Sequence, residues 1–192
     1  MTNNPISDAL ALRATASGFD AQRGKLPVPG DPHRSPDSFT VARQISELGK
    51  LITDLADEVL HRSAEQNRES STAPAITGFT AALRPAGQAA SALGTVARQL
   101  SFLDQTEHLS SKPDIRDARE AVEQVIGTAL RTANVTLREA ADALYVASAT
   151  VLPPSVRIQA ARSRSAGPVS APGPLPPASP TPAPPNRIAR SR

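Results

Sequence analysis

Between Val41 and Val59 the large apolar residues Val41, Ile45, Leu48, Ile52, Leu55 and Val59 follow one another at intervals of 4, 3, 4, 3 and 4. That is the spacing of one helix face packed on another helix, and no strand can present it, because a strand alternates with period two. Leu51, Ala56 and Leu60 widen the stripe beyond the narrow seam of a two-stranded coil, as a bundle requires. The spacing predicts a first long helix from about Pro36 to Gln66. Ser35-Pro36-Asp37 supplies its start: a capping hydroxyl, a proline in the first turn and an acid at the positive end of the helix dipole.

Two further segments repeat the pattern. Ile76, Phe79, Leu83, Ala86, Ala90, Leu93, Ala97 and Leu100 predict a second helix over about Pro74 to His108. Pro85, with Gly78, Gly87 and Gly94, weakens it and marks the place where it would kink or divide. Ile115, Ala118, Val122, Val125, Ala129, Ala133, Leu137, Ala140, Leu144, Ala147 and Val151 predict a third, from about Pro113 to Val151. Ser111 with Asp114 resembles a capping box at its start, and Pro153-Pro154 ends it. Asn67 to Ala73 and Ser110 to Pro113 read as the connecting turns. Short turns between long helices imply antiparallel neighbours.

The expected fold is therefore all-α: an antiparallel bundle of three long helices over residues 36–152. Ahead of it, residues 1–35 read as a flexible arm with a short helix. Asn4-Pro5 caps that helix, and Ile6, Ala9, Leu10 and Arg13 carry it. Gly18 and the prolines at 27, 29 and 32 then break any regular element before the bundle. Residues 153–192 read as a disordered, Pro-rich tail. They contain almost no large apolar residue and cannot build a core.

Composition narrows the chemistry. With no Cys there is neither a disulfide nor a thiol nucleophile. Four Phe, one Tyr and no Trp leave Ala, Leu, Ile and Val to fill the core, which suits closely approaching helices. Eighteen Arg against three Lys, with the Ala and Pro excess, fits bacterial coding at high GC content. No basic segment followed by an apolar run opens the chain, and the apolar stretch Ala143 to Leu152 is too short for a bilayer, which needs about 20 residues. A cytoplasmic protein with no membrane partner is expected.

The most suggestive chemical grouping is Asp54, Asp57, Glu58 and His61. Glu58-Val59-Leu60-His61 has the Glu-x-x-His spacing of di-metal helical bundles, but such sites need it twice, and the seam through Leu55 and Val59 turns His61 outward. The expectation is a solvated face with intrahelical pairing, and no metal or cofactor. His33 lies among prolines and His108 at a helix end. No serine sits in a nucleophile elbow, and no Gly-rich phosphate loop is present. No catalytic residue is assigned, and the chain is read as non-enzymatic.

Charge divides along the chain. Residues 37–152 hold 11 basic and 15 acidic groups, whereas residues 153–192 hold six arginines and no acid. Those six, Arg157, Arg162, Arg164, Arg187, Arg190 and Arg192, are candidate phosphate contacts. They are dilute and lack interleaved aromatics for stacking on bases. The leading functional expectation is thus an interaction or structural protein whose bundle meets a protein partner or a second copy of itself. The alternative is a DNA-associated accessory protein contacting phosphates through the tail.

Overall fold

A computed structural model describes residues 5–28, 30–31, 33–66, 73–109, 112–152 and 158. The described residues form four α-helices: α1 (Pro5–Gly24), α2 (Ser38–Gln66), α3 (Ala73–Gln105) and α4 (Pro113–Val151). A 3-10 turn, Glu107–Leu109, follows α3. No strand occurs among the described residues. The Pro-rich segment and its six arginines lie outside them, as do Ser111 and most of the turn placed at 67–73.

The side-chain links fix the topology. Asp8 and Gln22 of α1 reach Arg62 and Glu47 of α2, so these two helices run antiparallel. Arg13 and Asp20 of α1 meet Ser148 and Tyr145 of α4, again antiparallel. Ser38 of α2 reaches Asp104 of α3, and Arg119 of α4 reaches Leu103 of α3. The result is an up-down-up-down bundle with α3 between α2 and α4 and α1 closing the fourth side.

The antiparallel bundle of three long helices expected from the spacing is present, with the N-terminal helix as a full member. α1 continues through Gly18 to Gly24, where the sequence suggested a break. Gly18 serves the packing: a Cβ there would lie 3.1 Å from Leu51 Cδ2. Leu12, Ala16 and Phe19 of α1 are fully buried in the common core. The division of the chain at residue 35 therefore separates off a helix that completes the bundle. Only beyond Gly24 does the backbone leave the helix, with Gly30 at φ +83.

α2 begins two residues later than Pro36. The Asp37 carboxylate, not the Ser35 hydroxyl, caps it by accepting the Thr40 N–H at 2.8 Å. Hydrogen bonding from Thr40 holds the Asp37 carboxyl below its ordinary value. α4 starts after Lys112, which makes no side-chain capping bond; the capping box expected at Ser111 lies outside the described residues. Proline at its first position serves instead.

α3 is one undivided helix with Pro85 inside and buried. Its buried face is wider than the seam, adding Ala75, Gly78, Ala82, Ala89 and Val96 to Phe79, Ala86, Leu93 and Leu100. A helix that touches three neighbours must bury more than one stripe, and alanine lets it do so at short range. At Gly78 α3 and α4 come especially near, since a Cβ there would stand 2.4 Å from the Ala147 Cβ of α4. Gly78→Ala must push α3 from α4, against a neighbour that is itself backbone-proximal. We expect it to cost about 1–3 kcal/mol despite alanine's better helix propensity. Urea denaturation checks this; a stabilised variant would show that the two helices separate freely.

In α4 the register differs from the sequence reading at one position. Ile126 is buried and Val125 is 43% exposed. The shift by one residue follows from the stutter at Ala129, Ala133 and Leu137, whose spacing of four turns the buried face toward Ile126 and Leu130.

Candidate interaction surface

The displaced Val125 belongs to a long groove between α3 and α4 with a volume of about 820 Å³. Gln88, Ser91, Ala92 and Thr95 form its α3 wall. Its α4 wall runs from Ala121 through Val125, Thr128 and Thr132 to Thr136. None of the lining residues is charged.

The groove is less polar than its threonines suggest. Thr95, Thr128, Thr132 and Thr136 each donate their hydroxyl to the carbonyl four residues back, at 3.3, 3.0, 3.1 and 2.9 Å respectively. A hydroxyl satisfied by its own helix leaves the methyl group as the surface offered to a neighbour. Arg98 and Arg131 reach Thr95 and Thr128 at 3.3 and 3.0 Å, which places guanidinium groups at the rim. Val135, 52% exposed, extends the uncharged surface along α4. Ala121, Val125, Thr128, Thr132 and Val135 repeat at 4, 3, 4 and 3, a second seam on the outer face of a helix already packed on its inner one.

On the opposite flank of the bundle the Glu-x-x-His spacing resolves into something else. The Glu58 carboxylate accepts from Arg62 Nε at 2.7 Å and Nη2 at 2.5 Å. Arg62 also bonds Asp8 of α1 and lies 5.2 Å from the centroid of the Phe79 ring. Arg62 and Asp8 are both buried. Burial acts to lower the Arg62 pKa, but the hydrogen bonds it donates to Asp8 and Glu58 outweigh it and hold that pKa above its ordinary value. His61 is exposed beside this cluster. Among the described residues no three His, Asp or Glu side chains are grouped to hold a metal ion. Nor is any described helix long and apolar enough to cross a membrane.

Neither Arg62 nor Asp8 is among the site candidates that sequence motifs single out. The available signal was positional: Arg62 falls three residues beyond Val59, where the seam calls for an apolar side chain. Asp8 likewise sits between Ile6 and Ala9 on a face that Leu12 and Ala16 continue inward. Gln44 is a third buried polar residue on that pattern, donating through Nε2 to the Lys25 carbonyl. The candidate phosphate contacts of residues 157–192 are outside the described residues. No protein-family model, curated protein or solved structure matches the chain.

Proposed function

We propose that this chain is a non-enzymatic helical interaction protein, and that its α3–α4 groove receives the corresponding face of a second copy. The observation that supports this is the uncharged, methyl-lined groove of about 820 Å³ along two helices whose inner faces are already packed. A self-complementary contact needs neutral surfaces at its centre and both signs at its edge. The groove supplies the first. Arg98, bonded to Thr95 of one wall, and the exposed Glu120, next to Ala121 of the other, supply charges of both signs beside it. Small side chains on both walls permit the close helix approach seen between α3 and α4 themselves.

The test is sedimentation of the full chain over a range of concentration. A dimer is expected at roughly 10 µM, and Thr132→Arg, which places a charge at the middle of the groove, is expected to give a monomer of unchanged helicity. A chain that stays monomeric, or a dimer indifferent to Thr132→Arg, overturns the assignment of this face to self-association.

A second reading rests on the charge pattern of residues 153–192, six arginines without one acid. It makes the chain a DNA-associated accessory protein that contacts phosphates through the tail. Its signature is affinity for duplex DNA that falls steeply with salt, and loses most of that slope when all six arginines become glutamine in the full chain. Binding that is insensitive to either change removes the tail mechanism.

A further inference from the structure

A second cavity lies on the other flank of α4, where the end of α1 and the loop after it close against that helix. Its volume is about 410 Å³. Leu26, Pro27, Val28 and Leu130 make an apolar wall, and Arg23, Arg34, Arg131, Asn134 and Asp20 make the polar one. The three arginines come from three elements: Arg23 from α1, Arg34 from the loop and Arg131 from α4.

Each guanidinium is held in place. Arg34 Nη2 donates to the Gly24 carbonyl at 2.7 Å and the Leu26 carbonyl at 2.6 Å, and so ties down the end of α1. Arg131 donates to Thr128. Arg23 pairs with Asp20 at 3.2 Å, and Asp20 also accepts from the Tyr145 hydroxyl at 3.1 Å. Among the described residues, Arg34 and Arg131 have no carboxylate partner. Three arginines against one aspartate leave two positive charges around one cavity, with the Asn134 amide beside them.

We propose that this cavity is a binding site for the phosphate group of a small phosphomonoester, with the compact apolar body of the ligand against Leu26, Val28 and Leu130. A phosphomonoester carries about −1.5 to −2 charges at neutral pH and three acceptor oxygens, which matches the two uncompensated guanidiniums and the neighbouring amide. Guanidinium forks bind phosphate oxygens in pairs, and the fixed donors lose little freedom when they do so. The cavity volume falls in the range of small-molecule sites. Occupancy would tie α1, the loop and α4 together at one point.

The test is a titration of the full chain with phenyl phosphate, with inorganic phosphate and with chloride at matched ionic strength, followed by amide NMR. Phenyl phosphate should give saturable shifts centred on Leu26, Val28, Arg131 and Asn134, tighter than inorganic phosphate, with chloride giving none. Arg131→Gln should weaken it about tenfold or more, the loss of one charge-assisted contact, with helicity unchanged. Arg84→Gln, an exposed arginine of α3 that lines neither the groove nor this cavity, should leave it as it was. Shifts that do not saturate, that spread over the chain's other basic residues, or that survive Arg131→Gln overturn the site. Equal affinity for phenyl phosphate and inorganic phosphate overturns the assignment of an organic ligand.

Discussion

Arg62→Ala is expected to cost about 3–5 kcal/mol of stability, because it strands a carboxylate rather than because it removes an attraction. The Asp8 side chain is only 4% exposed and its partner is Arg62. With the guanidinium gone, Asp8 must be buried without its counter-charge, take up a proton or drag the start of α1 into water. Each route weakens the contact of α1 with α2. The loss is large beside the total of about 5–15 kcal/mol that holds an ordinary domain together. Two further variants separate the causes. Arg62→Met with Asp8→Leu removes both charges and is expected to recover most of the loss, since a well-packed apolar pair replaces a buried ion pair at little cost. Glu58→Gln should cost much less, because Glu58 is 33% exposed and water replaces its partner. Urea denaturation at neutral pH measures all three. An Arg62→Ala penalty below about 1 kcal/mol would mean that water reaches Asp8 freely and that the cluster is a surface network.

Sequence spacing reads the fold well where prolines mark the ends of a helix or where it buries a single stripe. α2 has one, through Val41, Leu48 and Leu55, and its end was placed at the residue where the structure has it. α4 was placed at both ends, because prolines bracket it. Spacing failed where a helix serves several neighbours or carries charge inward. α1 looked short because its apolar residues are interrupted by Asp8 and Gln22, both buried through partners on α2. A buried charge is invisible to an apolar pattern unless its partner is known, and here the partner lies 54 residues away. Gly18 read as a breaker for the same reason: its neighbour in the packing, Leu51, is on another helix. The groove was only half legible. The supply of Ala, Leu, Ile and Val suits closely approaching helices, but the spacing assigns Val125 inward, and the hydroxyl groups of four threonines give no sign that they are spent on their own helix.

Phe19→Ala decides how far α1 is part of the fold. Phe19 is fully buried, in one cluster with Phe79, Leu93 and Leu144 of α3 and α4. Truncating a buried phenylalanine costs about 3–5 kcal/mol, from lost transfer energy and from the cavity left behind. The more informative quantity is where the loss is felt. If the four helices fold as one cooperative unit, the denaturation midpoint falls while the slope is unchanged, and amides in the centres of α3 and α4 exchange faster by the same free energy as those of α1. If α1 were a helix merely laid on a self-sufficient three-helix core, exchange would rise in α1 alone and the slope would fall with the surface it no longer exposes on unfolding. The first outcome is expected, for a geometric reason. Gly78 brings α3 and α4 together at the point where Leu12 of α1 also approaches, 3.2 Å from the position a Cβ would take. This close contact of α3 with α4 is thus shared with α1, and opening α1 exposes it.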